Sequence, residues 1–340
     1  MGSNNVIVTG GAGYVGSHTC KLLHEAGYTP VVVDNLSRGH RWAVQWGPLE
    51  QADLLDQRRM EEILCRYRPR AVLHFAALAY VGESVTDPGL YYENNVVGSL
   101  RLLDAMRACG VERLVFSSTC ATYGEPQRLP LDETHPQAPI NPYGASKLMV
   151  ERLLADYAAA YGLRSVALRY FNAAGADPDG VIGELHEPET HLIPLILQVA
   201  AGERAALTIH GEDYGTPDGT CVRDYIHVCD LGSAHLLALE SMQEQPGARA
   251  YNLGNGAGYS VREVVESVER VTGRQVVCEP GPRRPGDPPR LVADANRARA
   301  ELGWTPRHAG LDAMVETAWA WWCAPRRHDS RGGGSGTAED

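Results

Sequence analysis

TGGAGYVG, the stretch Thr9–Gly16, decides the fold of this 340-residue chain. It lies between a run of β-branched residues and a helical pattern. Gly11, Gly13 and Gly16 satisfy the spacing GxGxxG, and Gly10 adds the variant GxxGxxG. Glycines at this spacing allow a tight turn, close approach of the backbone to a pyrophosphate and close packing of helix on sheet. The stretch therefore predicts a strand–turn–helix unit that binds a dinucleotide at the helix N-terminus.

Short β-branched runs alternate with helical patterns through the first half of the chain, as is typical of βαβ units. The predicted strands are Val6–Thr9, Val31–Asp34, Ala71–Phe75, Arg113–Ser117 and Ser165–Tyr170. The predicted helices are Ser17–Ala26, Met60–Tyr67, Leu90–Cys109 and Pro142–Tyr161. Continuous apolar strands indicate a sheet that is buried on both faces. We therefore expect an α/β fold with a Rossmann-type doubly wound parallel sheet.

The amino-acid composition of the sequence changes near residue 176. Glycine and proline become frequent there, and longer loops separate the helical patterns. We expect a dinucleotide-binding Rossmann domain over residues 1–175 and a smaller C-terminal α/β domain that binds the substrate over residues 176–322. The tail, residues 323–340, is rich in arginine, serine and glycine and is expected to be disordered.

The composition limits the class of protein. A formal net charge of −11 argues against nucleic acid or an anionic membrane as a partner. No apolar stretch approaches the roughly 20 residues that a membrane-spanning helix needs, and no secretory leader is predicted. The eight cysteines form no CxxC pair and no metal-type spacing with histidine. They are expected to be reduced thiols of a cytoplasmic protein, and no metal site is predicted.

Asp34 ends the second predicted strand, 18 residues after Gly16. A carboxylate at this position of a Rossmann unit accepts the hydroxyls of the adenosine ribose and repels the additional phosphate of NADP. Arg38 lies close by in the sequence and keeps NADP open as an alternative. The cofactor that we expect is NAD.

Tyr143 and Lys147 are four residues apart on a predicted helix, so both side chains project from one face. Asn141 is a candidate N-cap, and Pro142 fits the first helical position. A tyrosine pKa of about 10 must fall by about three units before the side chain can act as a base near neutral pH. A nearby ammonium, a cationic nicotinamide ring and the helix N-terminus all favour the phenolate. We therefore expect Tyr143 and Lys147 to be catalytic.

Thr119 follows a predicted strand, at the carboxyl edge where ligands bind in such sheets. Its hydroxyl is the candidate hydrogen-bond partner of the reacting oxygen. A structural role in capping a turn is expected instead for the neighbouring hydroxyls of Ser117 and Ser118. Thr119 completes a predicted catalytic set with Tyr143 and Lys147.

Together the glycine-rich turn, the Ser-Ser-Thr stretch and Tyr-x-x-x-Lys resemble the extended short-chain dehydrogenase/reductase family, and within it the nucleotide-sugar 4-epimerases. The resemblance covers roughly residues 5–322. Its most specific segments are Val33–Ser37, Phe75–Ala77, Val81–Ser84, Tyr91–Val96, Arg169–Asn172 and Asp218–Val228. It implies 4-epimerisation of a UDP-sugar by transient oxidation at C4, with tightly bound NAD. UDP-glucose and UDP-galactose are the expected pair.

The resemblance also implies two sets of binding residues. The cofactor would contact Gly10, Gly13, Tyr14, Val15, Gly16, Asp34, Asn35, Leu36, Ser37, Arg38, Gly39, Asp53, Leu54, Phe75, Ala76, Ala77, Ala79, Asn94, Thr119, Tyr143, Lys147 and Phe171. The nucleotide-sugar would contact Thr119, Tyr143, Asn172, His191, Leu192, Thr208, Ile209, His210, Arg223, Arg284, Asp287 and Leu291. Arginine forks suit a diphosphate, and Asp287 would hold the ribose of the uridine.

Two positions depart from the family pattern. Ala79 replaces a lysine found in some relatives, so one cofactor contact is lost or replaced. Leu291 stands where relatives carry a bulky tyrosine or a small cysteine or serine beside the 2-substituent of the sugar. Leucine is intermediate in size, so UDP-N-acetylglucosamine and UDP-pentoses stay open as substrates.

Other activities of this fold remain as alternatives. A nucleotide-sugar 4,6-dehydratase needs an additional acid and base after the catalytic threonine, where this chain has Cys120 and Ala121. A non-catalytic NAD-sensing protein would have no reason to keep Thr119, Tyr143 and Lys147 together.

A homodimer is also expected. The helices Leu90–Cys109 and Pro142–Tyr161 carry more apolar surface than one sheet face easily covers, and relatives pair these helices into a four-helix bundle between subunits. The apolar residues concerned are Leu100, Leu102, Leu103, Met106, Met149, Leu153, Leu154 and Tyr157.

Overall fold

The computed structural model describes residues 4–242, 247–284 and 287–324. The strands are β1 Asn5–Thr9, β2 Thr29–Asp34, β3 Leu49–Gln51, β4 Ala71–His74, β5 Arg113–Thr119, β6 Arg164–Tyr170, β7 Asn172–Ala174, β8 Leu207–His210, β9 Val222–Arg223, β10 Tyr225–His227, β11 Ala248–Leu253, β12 Tyr259–Ser260, β13 Cys278–Gly281 and β14 Arg290–Leu291. The helices are α1 Tyr14–Glu25, α2 Gln57–Tyr67, α3 Val81–Thr86, α4 Pro88–Tyr91, α5 Gly98–Ala108, α6 Pro142–Tyr161, α7 Leu192–Ala200, α8 Val228–Ser241, α9 Val261–Thr272, α10 Asn296–Leu302 and α11 Leu311–Cys323.

A seven-stranded parallel sheet organises the molecule, in the order β11-β6-β5-β4-β1-β2-β3. The order reverses between β1 and β4, which is the switch point where doubly wound sheets bind ligands. Alternate residues of β1 enter two different cores, Val6 and Val8 on one face and Ile7 on the other. Helices therefore cover both faces, and the predicted fold class is confirmed.

The expected helices are found with some changes. Helix α6 begins at Pro142 and ends at Tyr161, as predicted. The single helix predicted over Leu90–Cys109 is wrong in detail, because a π-helical segment, Tyr92–Val97, separates α4 from α5. This segment contains the buried Asn95, whose side-chain amide bonds the backbone of Leu78. A π-helical turn widens the spacing of hydrogen bonds and often marks a functional site.

Part of the second half of the chain returns to the large sheet. Strand β11 pairs with β6, and α8 packs against α1. Residues of α7, α9 and α11 form a separate core with β8 and β10. The large sheet therefore includes a strand from beyond residue 175, the residue at which the sequence predicts that the first domain ends. Most of the predicted tail, residues 325–340, lies outside the described residues, and α11 extends to Cys323.

The expectation that all eight cysteines are reduced is wrong for two of them. Cys65 in α2 and Cys109, directly after α5, form a disulfide with a Cα–Cα distance of 5.3 Å. The two residues are 44 positions apart, and only the packing of α2 on α5 brings them together. No helix in the described ranges is both long and apolar enough to cross a membrane.

The glycine-rich turn packs tightly against the next strand of the sheet. Gly10 has φ of +72°, and a Cβ on it would lie 2.5 Å from the backbone nitrogen of Ala76, directly beyond β4. Both the backbone angle and the contact exclude a side chain. Gly27 also has a positive φ, +84°, but no atom of the described chain lies within 4 Å of its Cβ position.

Gly10→Ala should therefore destabilise the fold more than Gly27→Ala. The backbone conformation alone costs an L-residue about 1–2 kcal/mol, and this cost applies to both variants. Overpacking against Ala76 should add roughly 1–3 kcal/mol for Gly10→Ala. Urea unfolding of both variants and the unchanged chain measures the difference. Equal losses of unfolding free energy would show that the close approach contributes nothing.

Candidate active site

The predicted cofactor residues gather at one edge of the sheet, at the carboxyl ends of its strands. Asn35, Leu36, Ser37, Arg38 and Gly39 follow β2; Asp53 and Leu54 follow β3; Phe75, Ala76, Ala77 and Ala79 follow β4; Thr119 ends β5; Phe171 follows β6. Asn94 lies in the π-helical segment. Ligands of doubly wound sheets bind at this edge. The positions are therefore compatible with one extended site.

Helix α1 begins at Tyr14 with Gly13 as its N-cap, and Gly13 provides no side chain to cap the first turn. The backbone N–H groups of Val15 and Gly16 lie in this first turn, where intrahelical acceptors are lacking. A Cβ on Gly13 would meet one atom of the described chain within 4 Å, the Gly10 carbonyl oxygen at 3.3 Å. This uncapped, unshielded helix end fits the pyrophosphate of a dinucleotide.

Asp34 ends β2 and lies beside the turn. Its two carboxylate oxygens accept hydrogen bonds from the backbone N–H of Ala12 at 3.0 Å and of Leu36 at 2.8 Å. Burial raises the pKa of Asp34, and the two backbone donors partly offset that effect. Each oxygen retains a lone pair, so the carboxylate can still accept a ribose hydroxyl.

Arg38 is the residue whose position left NADP as an alternative cofactor, and its side chain contacts Glu83 and Tyr80. Its guanidinium donates to Oε1 of Glu83 at 2.7 Å and lies 5.0 Å from the ring centroid of Tyr80. An arginine that is held by a carboxylate and an aromatic ring is less available for a 2′-phosphate. The geometry thus favours NAD over NADP.

Lys147 lies inside the protein, with only 3% of its surface exposed. Asn141 caps α6 through its Oδ1, which accepts from the N–H of Gly144 at 2.8 Å, and this cap sets the start of the helix one turn before the lysine. Nζ of Lys147 donates to the carbonyl of Ser117 at 2.9 Å. Burial lowers the pKa of Lys147 to about 7, although Glu151 acts in the opposite direction.

Tyr143 lies at the start of the same helix and keeps part of its surface accessible. Burial raises the pKa of its phenol, the charge of Tyr170 adds to that rise, and a hydrogen bond with Thr119 lowers it. The expected fall caused by Lys147 is therefore not found, and burial of the phenol raises its pKa instead. A phenolate here needs a further positive charge.

Thr119 plays two parts. Its side chain bonds Tyr143, and its Oγ1 also accepts from the N–H of Ala121 at 3.2 Å, which caps the short 3₁₀ turn Cys120–Thr122. The capping role expected for Ser117 and Ser118 is thus wrong. Oγ of Ser117 lies 2.7 Å from the hydroxyl of Tyr170, and Oγ of Ser118 donates to Glu151 at 2.5 Å.

A buried network behind the site was not predicted from the sequence. Arg169 donates to both carboxylate oxygens of Glu151 and to the hydroxyl of Tyr123, which in turn donates to Asn252 at 2.6 Å. Arg169 lies in β6, Glu151 in α6 and Asn252 in β11, so the network joins three elements. Arg169 belongs to a segment that carried the family resemblance, but no spacing rule links it to Glu151.

Asn95 was also missed. Its side chain receives the N–H of Leu78 at 2.8 Å, donates to the Leu78 carbonyl at 3.0 Å and donates to Oγ of Ser146 at 3.0 Å. It thereby fastens the loop after β4 to helix α6. The signals in the sequence were its place beside Asn94, which was predicted to touch the cofactor, and its place in the Tyr91–Val96 segment that carried the family resemblance.

The predicted substrate residues lie on the second half of the chain. Arg223 on β9 donates to Oδ1 of Asp287 at 3.1 Å, so the residues assigned to the diphosphate and the ribose are paired with each other. Leu291 lies opposite Arg223 in the pairing of β14 with β9 and packs in a small core with Phe171 and Cys120. Leu291 therefore packs on the same core as Cys120, the residue that follows Thr119 at the end of β5.

The other predicted substrate residues occupy more open positions. Asn172 begins β7, His191 is the N-cap of α7 and Leu192 its first residue. Thr208, Ile209 and His210 lie in β8, where Ile209 is buried. Arg284 is exposed.

Comparison with known proteins agrees with this arrangement. The model of the NAD dependent epimerase/dehydratase family matches residues 6–254. A UDP-glucose 4-epimerase of Rhizobium meliloti is 54% identical over 321 residues, which cover 94% of this chain and 98% of the relative.

Two solved structures have similar folds. One is the UDP-glucose 4-epimerase of Brucella ovis in complex with NAD, which is 57% identical with a TM-score of 0.91 and covers 93% of this chain and 98% of its own. The other is the UDP-glucose-4-epimerase of Stenotrophomonas maltophila with bound NAD and formylated UDP-arabinopyranose. It is 44% identical with a TM-score of 0.91, over 96% of this chain and 99% of its own.

Proposed function

Because this chain belongs to the NAD dependent epimerase/dehydratase family, we propose that it interconverts UDP-glucose and UDP-galactose by transient oxidation at C4 of the sugar. It is an isomerase, and its cofactor is NAD. The observation that carries the proposal is the placement of Tyr143 and the buried Lys147 one turn apart on α6, with Nζ of Lys147 bonded to the carbonyl of Ser117 near the end of β5 that carries Thr119. No net redox change occurs, so the cofactor can remain bound through the cycle.

The residues around the glycine-rich turn would hold NAD, with the pyrophosphate at the N-terminus of α1 and the adenosine ribose at Asp34. When bound, NAD supplies a hydride acceptor for C4 and the positive charge of its oxidised ring. Nζ of Lys147 donates to the carbonyl of Ser117, and its other N–H groups could donate to a hydroxyl of a bound ligand.

Tyr143 acts as the base. Its phenolate takes the proton of the 4-hydroxyl as the sugar is oxidised, and it returns that proton when the 4-keto sugar is reduced on its other face. Thr119 bonds the same phenol and stabilises the phenolate. Burial raises the pKa of Tyr143, and the positive charge of a bound oxidised nicotinamide ring would lower it and so favour proton removal.

The nucleotide-sugar would bind between the sheet edge and the elements of residues 176–322. Arg223 and Arg284 would donate to its diphosphate, and Asp287 would accept from the ribose of the uridine. In that case the guanidinium of Arg223, which donates to Asp287, would donate to a phosphate oxygen as well.

A 4,6-dehydratase is the rival within the family. It needs an acid and a base beside the catalytic threonine, and burial raises the pKa of the Cys120 thiol to about 12. Cys120 is therefore a neutral thiol and Ala121 has no ionisable group, so neither assists the loss of water. We also propose a cytoplasmic location, because the six cysteines outside the Cys65–Cys109 disulfide are free thiols, as is usual there.

Tyr143→Phe should reduce turnover by at least about 10²–10⁴-fold, because general base catalysis contributes that much. NAD should remain bound, since the phenyl ring fills the same space. Tyr161→Phe, on the exposed end of the same helix, is the matched control and should retain full turnover. Steady-state rates with UDP-galactose and the NAD content of each purified variant give the answer. Near-normal turnover of Tyr143→Phe would refute the assignment.

Leu291 should control which sugars are accepted. Its side chain packs against the small core that contains Phe171, which Cys120 also contacts, and a steric gate works by clashing with the wrong substrate. Leu291→Ser should raise activity on UDP-N-acetylglucosamine, and Leu291→Tyr should suppress it while the glucose reaction changes little. The ratio of kcat/KM for the two sugars is the measurement, with Val277→Ser as an exposed control. A ratio that is the same in both Leu291 variants would exclude a gate at this position.

A homodimer would form through the two predicted helices, Leu90–Cys109 and Pro142–Tyr161, together with α3, which contacts α6. Of the residues expected at the interface, Leu102, Leu103, Met106 and Leu154 are instead buried in the core of the subunit, whereas Met149 is 46% exposed. Val81 and Val85 on the adjacent α3 are also exposed, one helical turn apart. These side chains form an apolar surface that a second copy would cover.

Val85→Glu should disrupt the dimer, because a charge would be placed in an apolar interface. Val277→Glu, also an exposed valine but far along the chain, should leave the assembly unchanged. Light scattering at micromolar concentration reports the mass of each protein. An unchanged mass for Val85→Glu, or a monomer for the parent chain, would contradict the proposed interface.

A further inference from the structure

Four side chains with metal-binding atoms converge in the segment that joins β7 to α7. They are Glu184, His186, Glu189 and His191, and each offers one atom within 4.8 Å of the others. No metal site is predicted from the sequence, because metal-type spacings of cysteine and histidine do not include this pattern of glutamate and histidine. The spacing E-x-H-x-x-E-x-H places all four ligands within eight residues.

The distances within the cluster suit a single ion. Nδ1 of His191 lies 2.9 Å from Oε1 of Glu184 and 3.1 Å from Oε1 of Glu189. Nδ1 of His186 lies 3.3 Å from Oε1 of Glu184 and 3.7 Å from Oε2 of Glu189. Ligand atoms about 2.0–2.1 Å from a tetrahedral Zn²⁺ are roughly 3.3 Å apart. Four residue pairs of the cluster therefore lie near this separation, and the four ligand atoms all lie within 4.8 Å of one another.

The carboxylates of the cluster are buried, the side chain of His191 is 41% exposed, and one polar atom of the cluster has no hydrogen-bond partner within the described chain. The carboxylates of Glu184 and Glu189 are 8% and 7% exposed. Nδ1 of His186 is enclosed and makes no hydrogen bond of acceptable geometry within the described chain, although Glu184 is near. Two buried carboxylates need two positive charges. Two histidine protons would supply them, and so would one divalent cation.

We propose that Glu184, His186, Glu189 and His191 bind one Zn²⁺ ion. Two imidazole nitrogens and two carboxylate oxygens form a donor set that zinc accepts, and four protein ligands close its coordination shell as in a structural site. The imidazoles must be neutral to bind, so the ion replaces both protons. Nε2 of His191 faces away from the Nδ1 that would bind the metal, and it can still contact the substrate.

The ion would fasten this segment over the cofactor edge of the sheet. Nε2 of His40 lies 3.0 Å from the carbonyl oxygen of Leu185, and the indole of Trp321 donates to the carbonyl of Glu184 at 3.4 Å. The rings of Tyr14 and Tyr80 each lie 6.3 Å from the ring of His186. Zinc would therefore stabilise the contact between the segment and the glycine-rich turn without touching the reacting sugar.

A metal-free network of ion pairs is the competing account. Burial lowers the pKa of His186, but the nearby carboxylates of Glu184 and Glu189 prevail and raise it to about 9. Both accounts place the four side chains together, so the geometry is the same in each. The amount of zinc that the protein binds distinguishes the two accounts.

The test uses the full chain after purification without an affinity metal and dialysis against a chelator. Titration calorimetry with ZnCl₂ and elemental analysis after gel filtration measure the affinity and the metal content. We expect one zinc per chain for the parent protein and for His24→Gln, an exposed histidine at the end of α1. His186→Gln and Glu189→Gln should lose this zinc, and Mg²⁺ should not compete for it.

Thermal unfolding provides a second measurement, because a ligand of the folded state raises Tm. Zinc should raise Tm of the parent chain and of His24→Gln but of neither cluster variant. If one cluster variant fails to fold, the other variant and the zinc-dependent Tm of the parent decide. Absence of zinc binding by the parent, or equal binding by the cluster variants, would overturn the proposal. These measurements do not involve turnover, so their failure is separate from failure of the epimerase assignment.

Discussion

The close contact between the backbones of Gly10 and Ala76 is the constraint on which the rest of the structure depends. Gly10 also donates to the carbonyl of Val33, and Ala76 donates to that of Thr9, so the ends of β1, β2 and β4 are tied together. The helix that follows the turn can then point its N-terminus at the switch point of the sheet. A side chain at position 10 would separate β1 from β4 at the place where the cofactor must bind.

Charged side chains near this edge of the sheet include Lys147, Glu151 and Arg169, and the glutamate pairs with the arginine rather than with the lysine. The carboxylate of Glu151 lies one helical turn beyond Lys147 but is held by Arg169 and Ser118, so it does not pair directly with the lysine. The lysine is left with a carbonyl oxygen and the face of Phe116, whose ring centroid lies 4.8 Å from Nζ. A buried cation with such weak partners is easily recruited by a ligand, and it costs little to neutralise when the ligand is absent.

The features that could be predicted from the sequence are local ones. The glycine turn, Asp34 at the end of β2 and the bounds of α6 follow from patterns within a few residues, and they are confirmed. The features that were missed join distant segments. Two examples are the pair Arg169 and Glu151 and the pair Cys65 and Cys109. The members of each pair come together only when their helices and strands pack, so no spacing in the sequence predicts them. The pKa of Tyr143 was misjudged because the sequence shows a neighbouring lysine but not the loss of water around the phenol.

The outer strand of the large sheet comes late in the chain. Strand β6 ends at Tyr170, but its neighbour β11 is complete only at Leu253. During synthesis at about 5–20 residues per second, roughly 4–17 s pass between the two. Throughout that interval the nascent chain presents an unpaired parallel edge, which is a template for association with other chains. Ribosome-associated chaperones thus have a defined window and a defined surface on which to act.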